Sequence, residues 1–138
     1  MSKGLTLLEL LIVVIIVAIL AGVSFPIFNR AMEGNRNRVA QSQLELMAEG
    51  EQMAKLLIGD YVTCNTTAEC NNELHLNLPT GGDWNYRANA QGCLEMFADR
   101  NDPSGIYHRT WKLVYGESTG NINITCTGDA YCAYGKVQ

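Results

Sequence analysis

The chain has 138 residues, of which 47% are apolar and 17% are charged, and its formal net charge is −4. This length allows one ordinary domain plus a membrane segment. The acidic balance argues against a general nucleic-acid-binding surface, so no specific nucleic-acid partner is expected.

A membrane-length apolar run, GLTLLELLIVVIIVAILAGVSFPIF, occupies residues 4–28. No charged or strongly polar side chain lies between Leu10 and Val23. As a helix, residues 10–28 would extend about 28 Å, close to the thickness of the hydrocarbon core of a bilayer. The one acid near the start of the run, Glu9, would be costly in lipid, so we expect it to have a partner.

The start of the chain distinguishes this run from a secretory signal peptide. A signal peptide has an apolar core of about 7–15 residues, followed by a small-residue cleavage site. Here the run is longer and continues through Pro26, and only residues 1–4 precede its apolar part. We therefore expect residues 1–4 to be a very short leader in front of the run.

The motif KGLTLLE at residues 3–9, followed by the apolar run and Pro26, resembles the class III leader of type IV prepilins. The resemblance implies that a dedicated inner-membrane peptidase cuts after Gly4 and methylates the new amino terminus at Leu5. The glutamate of that family falls on Glu9, and its helix-breaking proline falls on Pro26. Phe is the commonest residue after the cut, where this chain has Leu5.

The same resemblance implies a role for Glu9 in assembly. Cleavage creates a positive amino terminus at Leu5, and Glu9 of one subunit would neutralise the amino terminus of its neighbour. An unpaired charge is costly inside a bundle of apolar helices, and a close pair of opposite charges costs less. The alternative is that Glu9 is an acid at the membrane boundary with no function.

Beyond Pro26 the helical pattern resumes. Apolar residues at steps of four and seven line one helix face: Phe28, Met32, Val39, Leu46, Met53 and Leu57. We predict one helix from about Leu5 to Ile58, roughly 80 Å long and ended by Gly59 and Asp60. Residues 5–28 are its transmembrane and polymerisation half, and residues 29–58 are its amphipathic half.

Gly22 and Pro26 predict a kink or a melted section in this helix. Proline removes one backbone hydrogen bond and clashes with the carbonyl four residues earlier, here that of Gly22. In the resembled family this stretch unwinds in the filament. The alternative is an ordinary proline kink near a membrane surface.

Residues 59–83 are rich in Asn, Thr and Gly and have no sustained period, which predicts a connecting loop. From residue 84 onward, alternating patterns predict strands at 84–88, 93–98, 107–115 and 121–127. The simplest topology is a four-stranded antiparallel meander packed on the amphipathic half of the helix. The predicted fold class is therefore α+β, with a long helix whose apolar half protrudes from a small pilin-like sheet domain.

All five cysteines lie in the C-terminal half, which predicts disulfides in an oxidising compartment. Cys64 and Cys70 are six residues apart, as are Cys126 and Cys132, so the favoured pairing closes two local loops and leaves Cys93 free. Cys93 with Cys126 is the competing pairing. A zinc site is the other alternative, although zinc ligand pairs are usually closer in sequence. No metal or cofactor is predicted.

The positive-inside rule disagrees with an oxidising compartment. Lys3 lies before the apolar run, and Arg30, Arg36 and Arg38 lie after it. Charge alone would therefore place the C-terminal domain in the cytoplasm. The cysteines and the prepilin resemblance both place that domain outside, and we follow them.

Enzymatic signatures are lacking in the sequence, because His75 and His108 lie in unrelated contexts and no serine or cysteine has an evident base partner. The resemblance is strong over about residues 3–30 and only architectural beyond them, where residues 84–138 read as a sheet whose tail resembles the disulfide-bounded C-terminal region of pilins. It implies a structural subunit of a type IV pilus-like extracellular filament serving adhesion, motility or DNA uptake.

Such a subunit would be stored in the inner membrane as a single-pass precursor and then polymerised through its apolar helix. Its partners would be copies of itself, the prepilin peptidase and the pilus assembly machinery. One alternative is a pseudopilin of a type II secretion system. A second alternative is a membrane-anchored binding domain that does not polymerise.

Overall fold

One long helix, α1 (Leu7–Ile58), dominates this computed structural model, which describes residues 6–91, 93–116 and 120–134. The long helix is confirmed, and it ends where the sequence predicts. Gly59 follows it with a φ of 87°, a left-handed conformation that glycine adopts without strain, and donates its N–H to the Lys55 carbonyl. The predicted cut between Gly4 and Leu5 lies outside the described residues.

The helix is continuous through Gly22 and Pro26. The Ser24 hydroxyl donates to the Leu20 carbonyl at 2.8 Å, a side-chain bond that competes with the backbone ladder and tends to bend helices. Pro26 has no N–H to offer the Gly22 carbonyl, so the ladder is weakest in this stretch. Melting of the stretch on assembly stays a prediction.

The connection over residues 59–83 contains a second helix, α2 (Thr67–Glu73), which was not predicted. Thr66 is its N-cap and accepts the Glu69 N–H at 3.2 Å. A helix this short shows no apolar period, but its Thr-x-x-Glu start is a capping signature. A disulfide between Cys64 and Cys70 joins the loop before α2 to the middle of α2.

Four strands form one antiparallel sheet in the order of the sequence, which confirms the predicted meander. They are β1 (Trp84–Asn89), β2 (Leu94–Arg100), β3 (Arg109–Gly116) and β4 (Asn121–Gly128). A short 3-10 helix (Ala130–Ala133) follows β4. Parts of two predicted turns, at residues 92 and 117–119, and the end of the tail at residues 135–138 lie outside the described residues.

The outer edge of β1 is covered by the 59–83 connection. Cys64 and Ala88 exchange two backbone hydrogen bonds, of 3.1 Å and 2.8 Å. The Thr67 hydroxyl accepts the Tyr86 N–H at 3.0 Å and donates to Asn85 Oδ1 at 3.0 Å. At Tyr86 and Ala88, backbone groups on the edge of β1 that faces away from β2 are therefore hydrogen-bonded.

The hydrophobic core lies between α1 and one face of the sheet. Alternate strand residues point into it: Trp84, Tyr86, Ala88, Leu94, Met96, Ala98, Trp111 and Leu113. From α1, Leu44 and Met47 fill the space above the sheet, and Ala40 and Ala48 allow the helix to approach it closely.

An amphipathic helix normally packs through its apolar face, but α1 packs through a mixed one. Its buried residues are Glu33, Asn37, Ala40, Gln41, Leu44, Met47, Ala48 and Glu51. The apolar residues at seven-residue steps, Met32, Val39, Leu46 and Met53, are 40, 40, 38 and 58% exposed. At 100° per residue, the two sets point about 150° apart around the helix axis. The apolar stripe is therefore not the face that holds the domain together.

Candidate functional site: the exposed helix and its base

The N-terminal half of α1 stands free of the domain. Every residue from 7 to 28 is exposed. By length and composition α1 can cross a membrane, and none of the apolar window that qualifies it is buried. Exposed apolar surface costs roughly 25 cal/mol per Å², so a segment of this size needs lipid or other protein around it.

Glu9 caps the first turn of the helix that carries it. Its backbone N–H donates to Thr6 Oγ1 at 3.3 Å, and its Oε2 accepts the Thr6 N–H at 3.4 Å. This reciprocal arrangement is a capping box, which satisfies donors at the helix start and places a negative charge at the positive end of the helix dipole. The cap was not predicted, although Thr-x-x-Glu is its sequence signature.

A line of apolar side chains continues from the free half of α1 along the outside of the domain. We call Phe25, Met32, Val39, Leu46 and Met53 the outer stripe, since each is exposed and each follows the last by seven residues. Residues seven apart lie on nearly the same side of a helix, so these side chains form one line along α1. The outer stripe is therefore exposed apolar surface on the side opposite the sheet.

Where α1 reaches the sheet, the buried Glu33 carboxylate contacts three arginines. Arg36 and Arg109 each hydrogen-bond to one of its oxygens, and Arg100 Nη2 lies 3.5 Å from Oε1. Burial raises the pKa of Glu33. The hydrogen bonds from Arg109 and Arg36 and the nearby positive charges lower the pKa by more than burial raises it, so the net pKa is below its ordinary value. Glu33 is therefore held as a carboxylate, and it fixes α1 to β2 and β3.

Two aspartates balance the rest of the positive charge. Asp83 Oδ2 lies 3.0 Å from Arg36 Nε, and Asp83 Oδ1 lies 2.7 Å from Arg100 Nη1. Asp129 Oδ2 accepts from Arg109 Nη1 at 3.2 Å. Three carboxylates thus face three guanidinium groups, which is the condition under which buried charges are tolerated.

Asn37, one turn beyond Glu33, connects these charges to residues 130–134, which we call the C-terminal segment. Its Nδ2 donates to the carbonyls of Tyr131 and Tyr134 at 2.8 and 2.6 Å. Its Oδ1 accepts from Arg109 Nε at 2.7 Å and from Trp111 Nε1 at 3.3 Å. The side chain is fully buried with both ends hydrogen-bonded, so it locks helix, sheet and C-terminal segment together.

We call this group the base cluster: Glu33, Arg36, Asn37, Asp83, Arg100, Arg109 and Asp129. It was not predicted, because its members are scattered from residue 33 to residue 129 and only the tertiary fold brings them together. The positive-inside rule counted Arg30, Arg36 and Arg38 as a topology signal, yet Arg36 is ion-paired with Glu33 and Asp83 in the base cluster.

At the far end of the sheet-facing side, Glu51 is buried in a different setting. Its Oε2 accepts the Val62 N–H at 2.8 Å, and its Oε1 has no hydrogen-bond partner within the described part of the chain. Burial raises the pKa of Glu51 to about 7, and the hydrogen bond from Val62 offsets only part of that shift.

The cysteines form two local disulfides, Cys64–Cys70 and Cys126–Cys132, and Cys93 is an exposed free thiol. Among residues 6–91, 93–116 and 120–134, no three metal-ligating side chains lie together. The second disulfide joins β4 to the 3-10 helix, and Asn37 binds the Tyr131 carbonyl of the same helix, so this helix is held in place twice.

Comparison with known families matches residues 1–25 to the prokaryotic N-terminal methylation motif. Comparisons with curated proteins and with solved structures give no match. The matched residues include Gly4, Leu5 and Glu9, and they run into the apolar half of α1. The N-terminal segment is therefore a prokaryotic N-terminal methylation motif, the class III leader that type IV pilin precursors carry.

Proposed function

We propose that the chain is a non-enzymatic structural subunit of a type IV pilus-like filament, released from the inner membrane by assembly after a prepilin peptidase removes residues 1–4. The observation that carries this proposal is the exposed apolar half of α1, which the matched methylation motif covers up to residue 25. Lipid covers this surface in the precursor, and helices of other copies replace the lipid in the filament.

The outer stripe supports packing beyond the membrane segment. Phe25 lies in the apolar half and Met53 lies near the end of α1, so one continuous line of side chains spans both halves. A second helix packed on this line would bury apolar side chains that the folded domain leaves in solvent. Copies inserted in one membrane share one orientation, so their helices pack in parallel.

The base cluster supports different positions for the helix and the sheet in the filament. It fixes α1 to the domain through charged hydrogen bonds, which are stronger than neutral ones. The helix and the sheet then move as one body, with the helix inside the filament and the sheet on its outer surface. The Cys126–Cys132 loop supports a pilus subunit over a secretion pseudopilin, because it resembles the disulfide-bounded region of pilins.

The decisive experiment separates the two possible roles of Glu9. Glutamine also serves in a capping box, so Glu9→Gln keeps the helix cap and loses the charge, whereas Thr6→Ala loses the cap and keeps the charge. We expect Glu9→Gln to insert into the membrane and to be cleaved after Gly4, but to yield at least tenfold fewer filaments. Thr6→Ala should still assemble.

The measurement is electron microscopy of filaments sheared from cells that express the chain with a prepilin peptidase and assembly machinery, together with mass spectrometry of the amino terminus. The matched control is Glu73→Ala, which removes an exposed charge of α2. A methylated Leu5 terminus is expected on sheared protein. An intact Met1 on exported wild-type protein, or a wild-type chain that never forms filaments, would refute the proposal.

A further inference from the structure

An open groove of about 510 Å³ lies beside the base of α1. Its walls are Arg30, Ala31, Gly34, Asn35 and Arg38 from the helix and Tyr134 from the C-terminal segment. Arg30, Gly34 and Arg38 are four residues apart and so share one helix face. Gly34 has no side chain, which leaves space between the two arginines.

Neither Arg30 nor Arg38 has an ion-pair partner in the described ranges, and both are exposed. Arg36, Arg100 and Arg109 differ from them, since each is committed to a carboxylate of the base cluster. The groove therefore carries two unneutralised guanidinium groups at one place on an acidic chain. A chemically matched ligand would be an anion with several oxygen acceptors, because guanidinium groups bind such anions through paired hydrogen bonds.

The opposite wall of the groove is fixed. Asn37 Nδ2 holds the Tyr134 carbonyl at 2.6 Å, and the Tyr131 and Tyr134 rings lie 5.8 Å apart between centroids. Tyr134 remains 37% exposed. Tyrosine is enriched at the level of lipid headgroups, where its ring contacts apolar surface and its hydroxyl contacts water.

The groove lies at the height of a membrane surface. Arg30 is two residues beyond Phe28, the last residue of the apolar run, which is about 3 Å along the axis. The headgroup layer extends roughly 5–8 Å beyond the hydrocarbon core on each side. Arg38 lies about 12 Å beyond Arg30, but helix side chains tilt toward the N-terminus, so an arginine at this position can reach back toward the membrane.

From the unpaired arginines, the fixed tyrosine and this height, we propose that the groove binds the phosphate of an anionic membrane lipid while the chain is stored in the bilayer. The proposal rests on the membrane-stored precursor of the proposed function. It also explains how arginines follow the apolar run on the exported side: one is used in the base cluster, and the phosphate of a headgroup offsets part of the charge of the other two.

The test is native mass spectrometry of the full chain in detergent, titrated with phosphatidylglycerol or with diacylglycerol of the same acyl chains. The second ligand lacks the phosphate. The site variant is Arg30→Gln/Arg38→Gln. The matched control is Arg87→Gln/Lys112→Gln, which removes the same charge from the sheet face turned away from α1. A third sample contains inorganic phosphate as a competitor.

We expect the wild-type chain and the control to retain phosphatidylglycerol in preference to diacylglycerol, and the site variant to bind it about thirtyfold more weakly. Arg30→Lys/Arg38→Lys should fall between them, because lysine keeps the charge and loses the paired hydrogen bonds. Equal affinity for both lipids, or unchanged affinity in the site variant, would overturn the proposal. Displacement by equimolar inorganic phosphate would make this a site for the free anion and would also overturn it.

This readout uses the unassembled chain, so it separates the two proposals. A wild-type chain that prefers phosphatidylglycerol but never forms filaments contradicts the proposed function alone. A chain that forms filaments but shows no preference for the phosphate-bearing lipid contradicts the lipid site alone.

Discussion

Glu33 and Glu51 lie on the same side of α1, five turns apart, and are almost equally buried, at 1% and 0% exposed. Glu33 contacts three arginines, whereas Glu51 receives one backbone N–H from Val62. The pKa of Glu33 is lowered and that of Glu51 is raised to about 7. Equal burial thus has opposite consequences, and the partners decide which form of the carboxyl group the fold favours.

The two shifts predict opposite pH dependence at the two ends of the domain. A carboxyl group with a lowered folded pKa stabilises the fold above its unfolded pKa, near 4.5, and loses that contribution as the pH falls. A carboxyl group with a raised folded pKa stabilises the fold below 4.5 and loses that contribution as the pH rises through about 7. The base of the domain should therefore loosen in acid, and the end near Val62 should loosen as the pH rises from about 4.5 to about 7.

The largest effect is expected from Glu33→Gln. Removing the carboxylate leaves Arg109 and Arg100 buried with too little negative charge, and breaking a buried ion pair costs about 3–5 kcal/mol. The free energy of unfolding of the full chain in detergent, measured with denaturant at pH 7, should fall by this amount.

The control is Glu45→Gln, which changes an exposed glutamate of the same helix and should stay within about 0.5 kcal/mol of the wild type. A Glu33→Gln loss as small as that of the control would show that the base cluster contributes nothing net to stability, and the contrast with Glu51 would disappear.

A smaller effect of opposite sign is expected from Glu51→Gln. Glutamine imitates the protonated carboxyl group and can still accept from Val62, so it should change stability little at pH 5. At pH 8 it should raise the free energy of unfolding by about 1–3 kcal/mol, because the wild type must bury a charge there. Denaturant unfolding at both pH values checks this, and equal effects at pH 5 and pH 8 would contradict it.

The smallest effect is local and requires no substitution. After correction for intrinsic exchange rates, the Val62 amide should lose hydrogen-exchange protection between pH 5 and pH 8, since ionised Glu51 favours opening toward water. The amides of residues 100 and 109, beside Glu33, should keep their protection over the same interval. Parallel changes at both ends would mean that the domain opens as one unit.

The sequence was sufficient for the long helix, its end at Gly59 and the order of the strands. Each of these depends on local signals: an apolar period, a glycine in the left-handed conformation, and alternation between turns. The motif at residues 3–9 was equally local, and the family match confirms it. The short α2 was missed because seven residues carry no period, although its Thr66 cap was visible.

Local sequence signals could not predict which face of α1 packs on the sheet. Glu33, Asn37 and Glu51 look solvent-exposed in sequence, because their partners lie far along the chain or in backbone groups. Periodicity also shows that Met32, Val39 and Leu46 share a face, but it does not show what covers that face. These polar residues share the inner face of α1 with Leu44 and Met47, and the apolar stripe lies on the outer face.

The strand edge covered by Cys64 and Thr67 has a consequence for molecules held at high local concentration. An open edge is a template onto which a strand of another chain can add, and this is a common route to aggregation. Crowded copies of the chain find Tyr86 and Ala88 of β1 already bonded, so this edge offers them little template for pairing. The small disulfide loop around Cys64 and Cys70 thereby protects the first strand from pairing with a strand of another chain.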